Sequence, residues 1–505
     1  MDISKYLIET KIDSASETPL YLQIANSIAQ KIIDNTLPKG TKLPPERELC
    51  KFFGVSRTTA INAYRWLEQE ELVATKVGSG TYVKENSPLH SETFQIPWSQ
   101  LFIPYPQTPM TSILKELVST PYASEIISLA TGMPDPSFYP LDIFNSLFKK
   151  YLCATNPADF GYIPTEGYQP LRETVASMLS QQGIDTTPDR TLIISGSQQG
   201  LYLTSKVLLE RGDYVIVQSP TYIGAIQIFQ AIGARMLILP EDNSLNLDIL
   251  EDYLIRYRPK LFYIISTYNN PTGQVLTEQE RRDLLRLAMR HRLVIMEDDP
   301  YSQLYYGEKP PLALKSLDNS ESVIYMSTFS KTITPGLRTG YLTGHPALIN
   351  RLALEKQYVD LHSNNFSQWL LNLYLKQGYY EEHLKFTRRE YKKRRDVLVK
   401  TVRRYLDKEI SFDVPDGGFY LWCKIKKPIT SARLLQEAIK CGVFFVPGQA
   451  FYTVPSEESE FRLCFVTHPE PVLVEGVKRL SKAFELIHKN KATKTVSENQ
   501  LNPIV

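Results

Sequence analysis

Leu293-Val294-Ile295-Met296 is an unbroken apolar run that ends in Glu297-Asp298-Asp299-Pro300-Tyr301. A short run of this kind reads as a buried strand, so three consecutive acids arrive together at its carboxyl end. Open α/β sheets bind ligands in the crevice outside the carboxyl ends of their strands, which makes an α/β sheet the expected frame and Asp298 a candidate site residue. Three more runs behave alike. Leu192-Ile193-Ile194 leads into Ser195-Gly196-Ser197-Gln198-Gln199-Gly200, Val215-Ile216-Val217 into Pro220-Thr221-Tyr222, and Leu261 to Ser266 into Asn269-Asn270-Pro271-Thr272-Gly273. Gln198 to Leu209 reads as a helix, so the N–H groups around Ser197 and Gln198 point at an anion near its positive end.

Downstream, Ser327-Thr328-Phe329-Ser330-Lys331-Thr332-Ile333-Thr334-Pro335-Gly336-Leu337-Arg338-Thr339-Gly340-Tyr341 sets one lysine among small hydroxyl residues, with an arginine seven positions later. That combination suits pyridoxal 5'-phosphate. The ε-amine of Lys331 would form a Schiff base with the cofactor aldehyde, and Thr328, Ser330 and Arg338 would surround the phosphate dianion with donors and one fixed charge. The cofactor also needs an acid to keep its ring nitrogen protonated, because the cationic ring is what withdraws electrons; Asp298 is the candidate. Tyr301 and Asn270 can reach the ring hydroxyl, and Tyr222 can stack on the ring. Taken singly, each has a plainer reading as a solvated lysine, a capping Asp or Asn in a turn, or a core tyrosine.

Asn270-Pro271-x-Gly273, Asp298-x-x-Tyr301, Ser330-Lys331 and Arg338, in that order, resemble the fold-type I aminotransferases. The segment Ser195 to Gly200 is most similar to their kynurenine/2-aminoadipate branch. The resemblance implies an α/β domain with large and small subdomains over residues 109–489, a catalytic set of Lys331, Asp298 and Tyr222, and a phosphate cup that includes Ser197 and Gln198. It also implies that Gly132, in the stretch Ile126 to Pro134, lies where a substrate carboxylate approaches. Arg462, in Phe461-Arg462-Leu463-Cys464-Phe465, would grip that carboxylate bidentately. Tyr162 would reach the cofactor phosphate of a neighbouring subunit, which makes a homodimer the expected assembly. A buried arginine needs a carboxylate, so the alternative for Arg462 is an internal salt bridge.

Ahead of this lies a different pattern. Leu20, Ile24, Ile28 and Ile32 recur at helical spacing, and Leu37-Pro38-Lys39-Gly40 closes that segment. Pro44-Pro45-Glu46-Arg47 opens a second helix that Gly54 closes, and Ser56 caps a third from Arg57 to Leu67, with Ile61, Tyr64 and Leu67 facing the core. Leu72 to Thr75 and Thr81 to Val83 read as a hairpin around Lys76-Val77-Gly78-Ser79-Gly80. These motifs resemble the GntR family of winged helix-turn-helix regulators, an α+β domain over residues 1–84. By that resemblance Arg47, Arg57, Thr58, Thr59 and Gly80 contact DNA, with Lys76 as a basic wing residue. Arg57 reads either a base or a phosphate. The alternative is a three-helix protein-interaction module.

Lys+Arg 57 against Asp+Glu 55 leaves the chain near neutral, which neither demands nor excludes nucleic acid, since a basic face can hide in the average. At 505 residues the chain has room for both domains. Residues 85–108, punctuated by Pro88, Pro97, Pro104 and Pro106, read as a linker, Ile113 to Val118 as a short helix, and 490–505 as a disordered polar tail. Cys50, Cys153, Cys423, Cys441 and Cys464 lack zinc-site spacing and are expected to be reduced and buried, with no metal bound. No apolar run approaches membrane-spanning length, so the cytoplasm is the expected compartment. A GntR-like reader fused to an aminotransferase-like domain resembles the MocR subfamily of transcription regulators. That implies double-stranded operator DNA as partner and pyridoxal phosphate, or an amino acid or amine bound to it, as signal. The rival reading is a working aminotransferase of 2-aminoadipate or aromatic type with a DNA-binding appendage, because its catalytic inventory is complete.

Overall fold

The computed structural model describes residues 12, 18–34, 36–76, 79–84, 126–240, 244–453 and 459–499, with side chains to 489. They form two compact units, one within residues 1–105 and one within 106–505. The linker expected over 85–108 and the short helix expected over 113–118 lie outside the described residues. No helix among the described residues is long and apolar enough to cross a membrane.

The first unit is helix α1 (Leu20–Ile33), α2 (Glu46–Phe53), α3 (Arg57–Gln69) and the hairpin β1 (Val73–Lys76) with β2 (Gly80–Val83). Gly54 ends α2 in the left-handed conformation, and the Ser56 hydroxyl caps α3 by accepting from the Thr59 N–H (3.2 Å). The buried stripe of α3 is Ala60, Ala63, Tyr64 and Leu67, the i, i+3, i+4, i+7 set of an amphipathic helix. Ile61, expected to face the core, is only half-buried: the two alanines hold the inner positions against Ile24 and Ile28 of α1. Lys42 forms an isolated antiparallel bridge to Tyr82, so the chain before α2 lies along the hairpin.

The second unit opens with β3 (Ile127–Ser128) and builds its main sheet from β4 (Thr191–Ile194), β5 (Tyr214–Ser219), β6 (Arg235–Pro240), β7 (Leu261–Ile264), β8 (Val294–Asp298), β9 (Val323–Thr328) and β10 (Gly340–Thr343). Their order is β4-β10-β9-β8-β7-β5-β6, with β10 antiparallel to both neighbours and every other pairing parallel. Parallel strands are covered on both faces, and the period-2 alternation sorts the residues between them. Val215, Val217, Tyr263 and Met296 join one core cluster, whereas Ile216, Phe262, Ile264 and Ile295 join the other.

A smaller antiparallel sheet follows: β11 (Ile410–Ser411), β12 (Tyr420–Ile425), β15 (Glu460–Cys464) and β14 (Val446–Pro447), in that order, while β13 (Val443–Phe444) pairs with β3. The last helix runs Glu470–Asn499, so residues 490–499 continue a helix where a disordered tail was expected. No Gly or Pro interrupts the sequence between Gly476 and Pro503, and a formed helix gains one hydrogen bond per added residue. The cysteines are free, but only Cys423 and Cys464 are buried; Cys50 and Cys441 are half-buried. Cys153 is exposed, since the 3-10 turn Leu152–Ala154 that carries it buries no residue.

Candidate functional site

The register of the main sheet assembles one edge from distant sequence. Gly340 pairs with Ile194 on one side and Thr328 on the other. Arg338, which enters β10, therefore meets the carboxyl ends of β4 and β9, from which Ser195 and Lys331 follow. Gly196 has φ +91 and starts the helix Ser197–Leu208; a Cβ there would lie 3.0 Å from the Arg338 Nη2. The guanidinium uses that space to donate to the Ser195 carbonyl (2.9 Å) and to the Ser330 hydroxyl (3.5 Å). Thr328 Oγ1 accepts from the Ser330 N–H (3.1 Å). Ser197, Gln198, Thr328, Ser330 and Arg338 thus gather around one helix N-terminus, where N–H groups and dipole favour an anion.

The three acids at the end of β8 are sorted by their partners. Glu297 accepts from the Ser266 hydroxyl (2.5 Å) and the N–H groups of Leu314 and Lys315 (2.9 and 3.0 Å), with Arg281 at 3.7 Å. Asp299 accepts from the Tyr325 hydroxyl (2.8 Å) and the Ser302 N–H (2.9 Å). Asp298 accepts from the Tyr263 hydroxyl through Oδ2 (2.9 Å), and its buried Oδ1 has no partner. Burial raises this carboxyl to about 7, against the pull of the Tyr263 bond. An orphaned buried carboxylate oxygen is costly unless a donor, best a cationic one, completes it.

Lys331 donates to the Gly132 carbonyl (2.7 Å). Burial and the guanidiniums of Arg462 and Arg338 bring its amine down to about 8. At that pH half of it is neutral and nucleophilic, against roughly 0.4 % of an ordinary lysine. Uptake of pyridoxal phosphate by cofactor-free protein should therefore accelerate with a midpoint near pH 8 and level off by about pH 9. Stopped-flow absorbance would show it; acceleration continuing through about pH 10 would mean an ordinary lysine.

Arg462 is buried with its guanidinium 3.9 Å over the Tyr420 ring and 4.9 Å from that of Phe451. It donates to Asn270 Oδ1 (2.7 Å) and the Ala130 carbonyl (2.9 Å), and its Nε has no partner. No carboxylate pairs with it among the described residues, so the internal salt bridge is not what holds it. Asn270, accepting through Oδ1, keeps its amide N–H groups for another acceptor. Tyr301 and Tyr420 share a hydroxyl contact (3.2 Å), and Tyr222 donates to Gln198 Oε1 (3.0 Å). At Gly132 a Cβ would lie 1.9 Å from the Tyr420 hydroxyl, so only glycine fits between that ring and Lys331.

The donor set fits pyridoxal phosphate: an orphaned acid for a cationic ring nitrogen, a semi-neutral amine for an aldehyde, and an arginine with a helix N-terminus for a phosphate. Tyr162 stands apart, 88 % exposed, with its ring 5.8 Å from that of His362. Tyr263, Tyr420 and Phe451 belong to the cluster yet sit in apolar runs, where an aromatic reads as core. For Tyr263 the one available signal was that a buried hydroxyl must find a partner.

On the first unit, Arg47, Arg57 and Thr58 are exposed, with Arg57 3.4 Å from Glu46. Thr59 is half-buried, its hydroxyl 2.8 Å from the capping Ser56 hydroxyl. Lys76 lies 5.5 Å from the Tyr82 ring, and Lys42, which the sequence did not mark, 5.7 Å from it. Gly80 has φ +116, and a Cβ there would lie 2.9 Å from Lys42 Cε.

Residues 127–480 match the family described as aminotransferase class I and II, and residues 20–83 match the bacterial regulatory proteins of the gntR family. The chain is 35% identical, over 86% of its length and 90% of the relative's, to an uncharacterized HTH-type transcriptional regulator, YisV, of Bacillus subtilis. It is 33% identical to aromatic-amino-acid aminotransferase 1 of Thermococcus litoralis, over 74% of this chain and 91% of that one. Among solved structures it resembles the α-aminoadipate aminotransferase LysN of Thermus thermophilus, crystallised with N-(5'-phosphopyridoxyl)-L-leucine. The TM-score is 0.70 at 33% identity, covering 77% of this chain and 98% of that one.

Proposed function

The chain belongs to the class I and II aminotransferase family, whose cofactor is pyridoxal 5'-phosphate, and carries a GntR-family domain ahead of it as MocR-type regulators do; from that premise we propose a cytoplasmic homodimer that binds operator DNA and senses an amino acid or amine at the cofactor. The observation that carries this reading is the coexistence, in one chain, of exposed Arg47, Arg57 and Thr58 on a winged helix and an orphaned Asp298 Oδ1 beside Lys331. Tyr162 supports the dimer: so large and exposed an aromatic suits insertion into the phosphate cup of a second copy.

When bound, pyridoxal phosphate supplies an aldehyde for amines and a cationic ring that withdraws electrons. The chain supplies the rest. Asp298 would hold the ring proton, and Tyr263 fixes its carboxylate from Oδ2. Arg338, Ser330, Thr328, Ser197 and Gln198 would hold the phosphate, and Tyr222 would cover the ring. Asn270 and Tyr301 would orient the ring hydroxyl. Arg462 fixes an incoming α-carboxylate, its Nε free to donate, and Gly132 leaves room for it. Lys331, its amine brought down to about 8 by burial and the guanidiniums of Arg462 and Arg338, would accept or return a proton as the amine ligand enters.

On the DNA side, Arg57→Ala and Arg47→Ala should each weaken operator binding with the cofactor spectrum unchanged. If Arg57 reads guanine, its loss costs about 1–3 kcal/mol and relaxes specificity at one position; if it holds a phosphate, all sequences weaken alike and the salt slope falls by about 1. Gel-shift titration on fragments selected from a random-sequence pool would decide, and full affinity in both variants would favour the protein-interaction module. The aminotransferase reading has one observation in its favour. None of the residues the chemistry needs is missing, and Lys331 keeps a pKa fit for proton transfer.

A further inference from the structure

The helix Tyr379–Leu406 carries ten basic residues against four acidic ones, an excess of six in a chain whose formal net charge is +2. Three of the ten are taken inside. Arg388 donates to the Gln303 carbonyl (2.7 Å), Arg394 pairs with Asp135 (2.6 Å) and Arg395 donates to the Pro415 carbonyl (2.9 Å) while pairing with Asp396 (2.7 Å). The other seven are exposed. Arg389 and Lys393 share Glu390 (2.8 and 3.0 Å); Lys385, Lys392, Lys400, Arg403 and Arg404 have no carboxylate partner among the described residues. At 3.6 residues per turn all seven fall within about a third of the helix circumference, along about 29 Å. Toward its end the stripe borders a groove of about 380 Å³ lined by Asp396, Val399, Lys400, Arg403 and Val414.

Glu381/Lys385 and Asp396/Lys400 are favourably spaced, but within the stripe itself like charges meet. A solvated helix gains from opposite charges at i,i+4 and loses from like ones, yet Lys385/Arg389, Arg389/Lys393 and Lys400/Arg404 are all like-charged. The partner that neutralises such a row presents regularly spaced anions over about 30 Å, close to one turn of duplex DNA at about 34 Å. We propose that this stripe is a second, sequence-independent contact to the DNA backbone, made by the aminotransferase-like domain. It rests on the reading of the chain as a DNA-binding regulator.

The test uses the full, cofactor-loaded chain and a random-sequence duplex of about 150 base pairs, one persistence length, titrated at several salt concentrations. Each phosphate contact contributes about 0.9 to the slope of log K against log salt. The joint variant Lys392→Gln, Lys393→Gln, Lys400→Gln should lower that slope by about 2–3, with the cofactor spectrum intact. Lys149→Gln, Lys150→Gln, Lys206→Gln, the same charge change on other exposed lysines, should leave it alone. An unchanged slope in the stripe variant, with Arg57→Ala still weakening binding, overturns the stripe and spares the regulator reading. An equal fall in the control variant, or a loss of binding to phosphatidylserine vesicles instead of to DNA, also overturns it. A wild-type chain that binds no duplex overturns both.

Discussion

Lys331→Ala protein holds no covalently attached pyridoxal phosphate: the visible absorption band of the loaded wild type is absent, and the cofactor washes out on gel filtration. Among the described residues, the other buried lysines are already committed. Lys356 pairs with Asp360 at 2.8 Å and Lys315 with Asp318 at 3.4 Å, so neither offers a free amine. Lys331 alone of these lies beside the orphaned acid and the phosphate donors, and its amine is half neutral near pH 8. The loss of covalent attachment should be complete, while weaker retention through Arg338 and Asp298 persists at high cofactor concentration. An undiminished band would move the attachment to another lysine.

The second large effect separates neighbours in sequence. Asp298→Asn should weaken cofactor binding by roughly ten- to a hundred-fold with little change in melting temperature, because a neutral amide cannot make the charge-assisted bond, worth about 1.5–3 kcal/mol. Asp299→Asn should do the reverse. Its carboxylate is bonded to Tyr325 and to the Ser302 N–H, so its loss lowers stability by about 1.5–3 kcal/mol for a charged hydrogen bond. Cofactor titration and calorimetry on both variants would read the two effects. A cofactor defect confined to Asp299→Asn would reassign the ring partner.

These neighbours also mark how far the sequence could be read. The strand and its acids were legible, since apolar runs and turn residues are local signals; which acid keeps an unpartnered oxygen was not, because Tyr263, Ser266 and Tyr325, which engage Asp298, Glu297 and Asp299 in turn, come from elsewhere in the sequence. Arg462 and Asn270 lie 192 positions apart, and Lys331 meets Gly132 across 199. Motif order placed these residues in one site without giving their bonds. On the winged helix Ser56 was readable as a cap, whereas Ala60 and Ala63 gave too little apolar signal to displace Ile61 as the inner residue.

A regulator requires coupling between amino ligand and DNA. An effector shifts the DNA equilibrium only as far as it prefers one state of the protein, and measured couplings run to about 5–150-fold. The direct measurement is fluorescence anisotropy of a DNA fragment, selected by the loaded protein from a random pool, titrated with and without a panel of amino acids and amines while keto-acid release is followed in the same samples. Expected is at least one ligand that changes DNA affinity about five-fold or more, fails to do so in Lys331→Ala protein, and is turned over slowly. Rapid transamination, with DNA affinity unmoved by every ligand and by the cofactor itself, would contradict the regulator reading and leave an enzyme.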